Sequence, residues 1–165
     1  MGGSGWSYFV PFQTDINQAF QELKESTFQN GEYFTELEFL KGFVEFMQEQ
    51  LSPESISQTQ ERIAQLQNQP SPSSIEELLQ MNAENGTHSI IDMEGISETP
   101  DFGRITPFSP QDLIDLFGTE KPTREMAEEK LDEIGRRCKK WQGIYFTVFQ
   151  NNLPSEILFI GVSGD

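Results

Sequence analysis

Cysteine is nearly absent from this chain: Cys138 is the only one among 165 residues, so no internal disulfide can staple the fold. Histidine is as scarce, with His88 alone. Basic residues are few, 11 Lys and Arg against 27 Asp and Glu, and the formal net charge is -16 with a pI near 4.3. A surface of that sign repels phosphate backbones and anionic lipid, so neither nucleic acid nor a membrane is expected as a ligand. There is no membrane-length apolar run and no charged-then-apolar leader, and the expected compartment is the cytoplasm. Nucleotide motifs are missing as well: no GxxxxGK[ST] run occurs, and no GxGxxG follows a strand. The tail Gly161-Val162-Ser163-Gly164-Asp165 departs from the nucleophile elbow at its last position.

What is present in quantity is phenylalanine. Fourteen Phe residues raise an apolar content of only 35%, and rings bury more area per residue than aliphatic side chains, so one domain spanning residues 1–165 can still build a core. The clearest structural stretch is Trp141 to Asp165, two β-branched and aromatic runs around an Asn-Asn-Leu-Pro break, which predicts a β-hairpin. A lead-in over residues 1–5 is expected to be flexible, and Trp6 to Phe12 reads as a first strand with Pro11 at an edge or exit position. Thr14 or Asp15 caps a helix through Ile16, Ala19, Phe20 and Leu23 that Gly31 ends. Leu37, Leu40, Phe43, Val44, Met47 and Leu51 keep helical spacing, with Phe39 and Phe46 widening the apolar face, which favours burial. Ser52-Pro53-Glu54 opens a polar helix, residues 69–73 form a proline-rich loop, and Ser74 caps a short helix to Met81.

Thr87 to Ile96 reads as a central strand. Ser109-Pro110 starts a helix that stops at Gly118, and Thr123 starts the longest helix, through Met126, Ala127, Leu131, Ile134 and Cys138. Four of the eleven basic residues, Arg136, Arg137, Lys139 and Lys140, close it and complement its dipole. The resulting fold is α+β: an antiparallel sheet around the C-terminal hairpin, with helices mainly on one face. Both hairpin faces are apolar, so the second face needs a cover, either the Phe-rich helix Leu37 to Met47 or another protomer.

Candidate chemistry centres on the predicted strand at His88. Alternation places His88, Ile90, Asp92 and Glu94 on one face, and a histidine with carboxylates is a divalent-metal ligand set, extended by Asp101. Against this, His88 and Asp92 stand roughly 13 Å apart on an extended strand. A half-exposed strand with a polar outer side is the plainer reading. Glu94, Glu98 and Asp101 lie in a region without Lys or Arg between Arg62 and Arg104, a candidate surface for a basic partner. Cys138 lies among cations that would activate a thiol, yet on the apolar face of its helix, where it is inert.

The segments GWSYFVPFQ with its following helix, GTHSIIDMEGI, DFGRITP and EILFIGVSGD together resemble an uncharacterised family of small acidic bacterial proteins. The resemblance spans most of the chain and implies a single bacterial-type domain; it brings no activity or catalytic residue. From charge, Phe surplus and missing motifs, the expected function is a non-enzymatic binding or regulatory protein. An inhibitor, immunity or antitoxin-like protein that engages a basic protein partner fits this description. The alternatives are a small metal-dependent enzyme using His88, Asp92 and Glu94, and a homo-oligomeric module.

Overall fold

The computed structural model describes residues 3–164. Its elements are β1 (Ser4–Pro11), α1 (Ile16–Gln29), α2 (Glu36–Met47), α3 (Pro53–Gln67), α4 (Ile75–Met81), a single 3-10 turn (Ile90–Asp92), β2 (Gly95–Ile96), β3 (Arg104–Pro107), α5 (Pro110–Phe117), α6 (Arg124–Glu129), α7 (Leu131–Gly135), β4 (Gln142–Gln150) and β5 (Leu153–Ser163). The expected hairpin is β4 and β5. Asn151 and Asn152 take φ of 52° and 63° at its tip, the left-handed pair that a two-residue hairpin turn requires and that asparagine tolerates well. Strand order is β1-β5-β4-β3-β2.

The α+β class holds, with two corrections to the layout. The sheet is mixed: β1, β5 and β4 are antiparallel, but β3 runs parallel to β4 and β2 parallel to β3. The cause is the crossover through α5, α6 and α7, which returns the chain to the end of the sheet where β3 began. Helices also cover both faces. Along β5, Ile157 and Phe159 join Trp6, Ala19, Phe20, Leu23, Ile90, Met93 and Ile105 under α1, while Leu158 and Ile160 join Phe108, Leu113, Leu116, Ala127, Ile134, Phe146 and Val148 under α5, α6 and α7. The second hairpin face is therefore covered by these three helices, and not by Leu37 to Met47 or by another protomer.

Trp6 fixes the first core. Its indole lies across the paired strands at Gly143 and Gly161, where a Cβ would come within 3.0 Å and 2.6 Å of its Cη2 atom, and its Nε1 donates to Ser163 Oγ at 3.1 Å. Ser4 and Gly5, expected in a flexible lead-in, belong to β1 and pair with Ser163 and Val162; Met1 and Gly2 lie outside the described residues. The single long helix expected from Thr123 to Cys138 is two, turned at Lys130. α6 rests on β4 and α7 on β5, so the axis bends to follow the sheet.

The central strand expected over Thr87 to Ile96 does not form. Gly86 and His88 take φ of 73° and 53°. Asp92 Oδ1 accepts from Thr87 N at 2.7 Å, Ser89 Oγ accepts from Ile91 N at 3.2 Å, and the Thr87 and Ser89 hydroxyls are 2.8 Å apart. Short polar side chains satisfy the backbone locally and outcompete the ladder. Only Gly95–Ile96 is strand, and it is an edge, not the centre.

Candidate functional site

Helices α2 and α3 form an antiparallel pair packed mainly on each other. Thr35 and Ser52 cap them through side-chain oxygens that accept from Glu38 N and Ser55 N, at 3.2 Å each. Arg62 bridges them with a two-pronged contact, its Nε and Nη2 donating to the Glu36 carboxylate at 2.9 and 2.8 Å. Arg62 holds the Glu36 carboxyl below the usual carboxylate range. The pair is tied to the core where Phe34 N donates to Thr87 O at 2.8 Å.

Burial was expected for the wide apolar face of α2, and the structure overturns it: neither α2 nor α3 holds a buried residue. Phe39 is 53% exposed and Phe46 83%. The reason is coverage, since both faces of the sheet are already occupied and α2 packs mainly on α3. From the core outward runs a ladder of rings: His88 to Phe34 at 4.4 Å, Phe34 to Phe39 at 5.8 Å and Phe39 to Phe43 at 6.0 Å between centroids. The surrounding polar surface is acidic. Glu36, Glu38, Glu45, Glu49, Glu54 and Glu61 stand against Lys41 and Arg62 over Glu36–Gln67.

At the foot of the ladder is a cleft of about 540 Å³ lined by Ser4, Phe34, Glu36, Phe39, Leu40, Asn85 and His88. Only His88 among these was a sequence candidate. Ser4, Phe34 and Asn85 lie far apart in the chain and carried no signal of their meeting. His88 Nδ1 is 2.6 Å from Ser4 Oγ, which ties β1 to the turn, and the ring lies over Gly164, where a Cβ would reach within 2.7 Å of Nε2. His88 Nε2 is buried and has no hydrogen-bond partner among the described residues. A hydrolytic Ser–His pair needs the second nitrogen oriented by a third group.

The remaining candidates are dispersed. Asp92 is buried and holds Thr87 N through Oδ1, while its Oδ2 has no hydrogen-bond partner among the described residues. Glu94 is exposed and pairs with Arg104 at 3.4 Å. Asp101 is exposed and accepts from Phe102 N at 2.8 Å, and exposed Glu98 lies near Tyr145, whose hydroxyl is shifted up by burial first and by that carboxylate second. With the strand gone, His88, Asp92 and Glu94 share no face. Among the described residues no three His, Cys, Asp or Glu side chains group as a metal site. Nor is the acidic stretch uncompensated in space. Lys24, whose ammonium donates to Met93 O at 2.6 Å, sits in the field of Asp92, Glu76 and Glu94, although burial outweighs them and lowers its pKa.

Burial likewise dominates at Cys138: its thiol is half-buried and is pushed up to about 11 despite the adjacent cations. No helix among the described residues is long and apolar enough to cross a membrane. No family model, curated protein or solved structure matches the chain.

Proposed function

We propose that this is a non-enzymatic binding or regulatory protein of the cytoplasm, and that the α2–α3 pair is its docking surface for a basic protein partner. The observation that carries this reading is that two amphipathic helices bury no residue while holding Phe39 and Phe46 in solvent on an acidic background. An exposed apolar stripe with a charged rim is what a partner interface presents before it is occupied. Aromatic side chains are the usual anchors of such contacts, and the excess of Glu over Lys and Arg along these helices favours cationic partners and speeds their approach.

The test uses the intact protein as bait, compared with a Phe39→Ser/Phe46→Ser variant. A basic protein retained in stoichiometric amount by the parent, lost by the variant and released as salt rises supports the assignment. If the variant, folded by circular dichroism, retains the same proteins as the parent, the α2–α3 surface is not the docking site.

A further inference from the structure

A second surface lies along the β1 edge of the sheet. Among the described residues β1 is an edge strand, hydrogen-bonded on one side only, to β5. Phe12 N donates to Ser155 O at 3.1 Å, continuing the register that pairs Val10 with Ile157 and Tyr8 with Phe159. Antiparallel pairs alternate, so the even residues of β1 bond inward to β5, and the odd residues Gly5, Ser7, Phe9 and Pro11 turn their backbone groups outward. Pro11, which has no N–H to offer, falls in this outward set, as an edge proline should. The row of outward groups at Gly5, Ser7 and Phe9 is a template for another strand.

Edges of this kind are normally blunted by charge. In a chain of net charge -16, the eight residues Ser4–Pro11 carry none. Gly5, Ser7 and Pro11 are exposed, and beside Gly5 and Ser7 an open gap of about 690 Å³ reaches to Leu131, Gly135 and Ile160. Phe9, on the same face, is half-buried against the Arg124 guanidinium, 4.4 Å from its ring centroid.

We propose that β1 pairs antiparallel with β1 of a second copy of this chain, about a two-fold axis at Ser7, to form one continuous sheet. Ser7 is an outward residue near the middle of the strand, so an axis there pairs outward residues with outward residues over most of its length. This register sets Ser7 against Ser7 and Gly5 against Phe9 of the second copy. The residue without a side chain then faces the largest one on that face, and the ring borders the gap. The seam itself carries no charge from either copy. At the strand ends the charges are mixed or already paired: Arg136 lines the gap beside Gly5 together with Asp132, and Glu156, across from Pro11, is bound by Arg124 at 2.7 Å. The two copies still repel overall, so salt strengthens this association, whereas it weakens docking of a basic partner on α2–α3.

Sedimentation of the full chain over a wide concentration range, at low and high salt, tests the pairing. The expected result is a monomer–dimer equilibrium shifted toward dimer by salt, and loss of the dimer in Ser7→Lys with its circular dichroism unchanged. Directly opposed hydrogen-bonded residues have Cα atoms about 5.5 Å apart, within disulfide reach. Ser7→Cys in a Cys138→Ala background therefore oxidises to a covalent dimer. A wild-type protein that stays monomeric under every condition overturns the proposal. So does a dimer that survives Ser7→Lys, or a Ser7→Cys variant that fails to cross-link.

Discussion

Gly161→Ala tests the packing on which the first core rests. An added Cβ would stand 2.6 Å from Trp6 Cη2 and 2.8 Å from the Gln142 carbonyl oxygen. One neighbour is a ring that is itself 7% exposed and held by its bond to Ser163; the other is the backbone of β4, in the centre of the sheet. Neither yields cheaply. Overpacking typically costs about 1–3 kcal/mol, and with two rigid neighbours the upper end applies, about 3 kcal/mol. For a domain of this size that lowers Tm by roughly 6–12 °C. Urea unfolding followed by circular dichroism reads the change, with an unaltered slope showing that only the native state is affected. In a Trp6→Phe background the ring no longer reaches as far, so Gly161→Ala costs less there and only the Gln142 contact remains. A cost under about 0.5 kcal/mol, or the same cost in both backgrounds, would refute the claim that Trp6 rests on Gly161.

Two further outcomes are expected. Gly42 lies inside α2 with nothing within 4 Å of an added Cβ, so Gly42→Ala raises the helix stability by about 0.8–1 kcal/mol, visible as slower amide exchange along α2. The Cys138 thiol, raised from 9.0 to about 11 by burial, retains its proton in the folded state after the unfolded chain has lost it. Its contribution is fully present below pH 9 and is lost as pH rises toward 11, about 2–3 kcal/mol in all. Cys138→Ala removes that alkaline decline, measured as the difference between the two proteins' stabilities across this range. Equal alkaline slopes would count against the burial argument.

The hairpin, the helix caps at Asp15, Ser52, Ser74, Ser109 and Thr123, and the turn at Gly118 were all legible in the sequence, because each follows from groups a few residues apart. Asn151-Asn152 closes β4 on β5 for the same local reason. Where the sequence reading failed, two energetic solutions were locally available. Thr87 to Ile96 has strand formers, but Thr87, Ser89 and Asp92 satisfy the backbone in a turn, and His88 instead meets Ser4, a residue 84 positions away. That turn dissolved the supposed metal face.

The tertiary structure also decided what each apolar surface meets. Periodicity shows that α2 and β5 each have apolar surface, but not which of them other elements reach first. α1 occupies one face of the sheet and α5, α6 and α7 the other, which leaves the Phe-rich face of α2 in solvent. Charge behaved in the same way. The stretch between Arg62 and Arg104 is uncompensated along the chain, yet Lys24 stands beside it in space. The sequence by itself determined the local elements and the acidic character of the surface, because hydrogen bonding within a turn and net charge need no partner. The free α2 face and the uncharged β1 edge emerged only from the fold, since exposure depends on every other element that competes for the same surface.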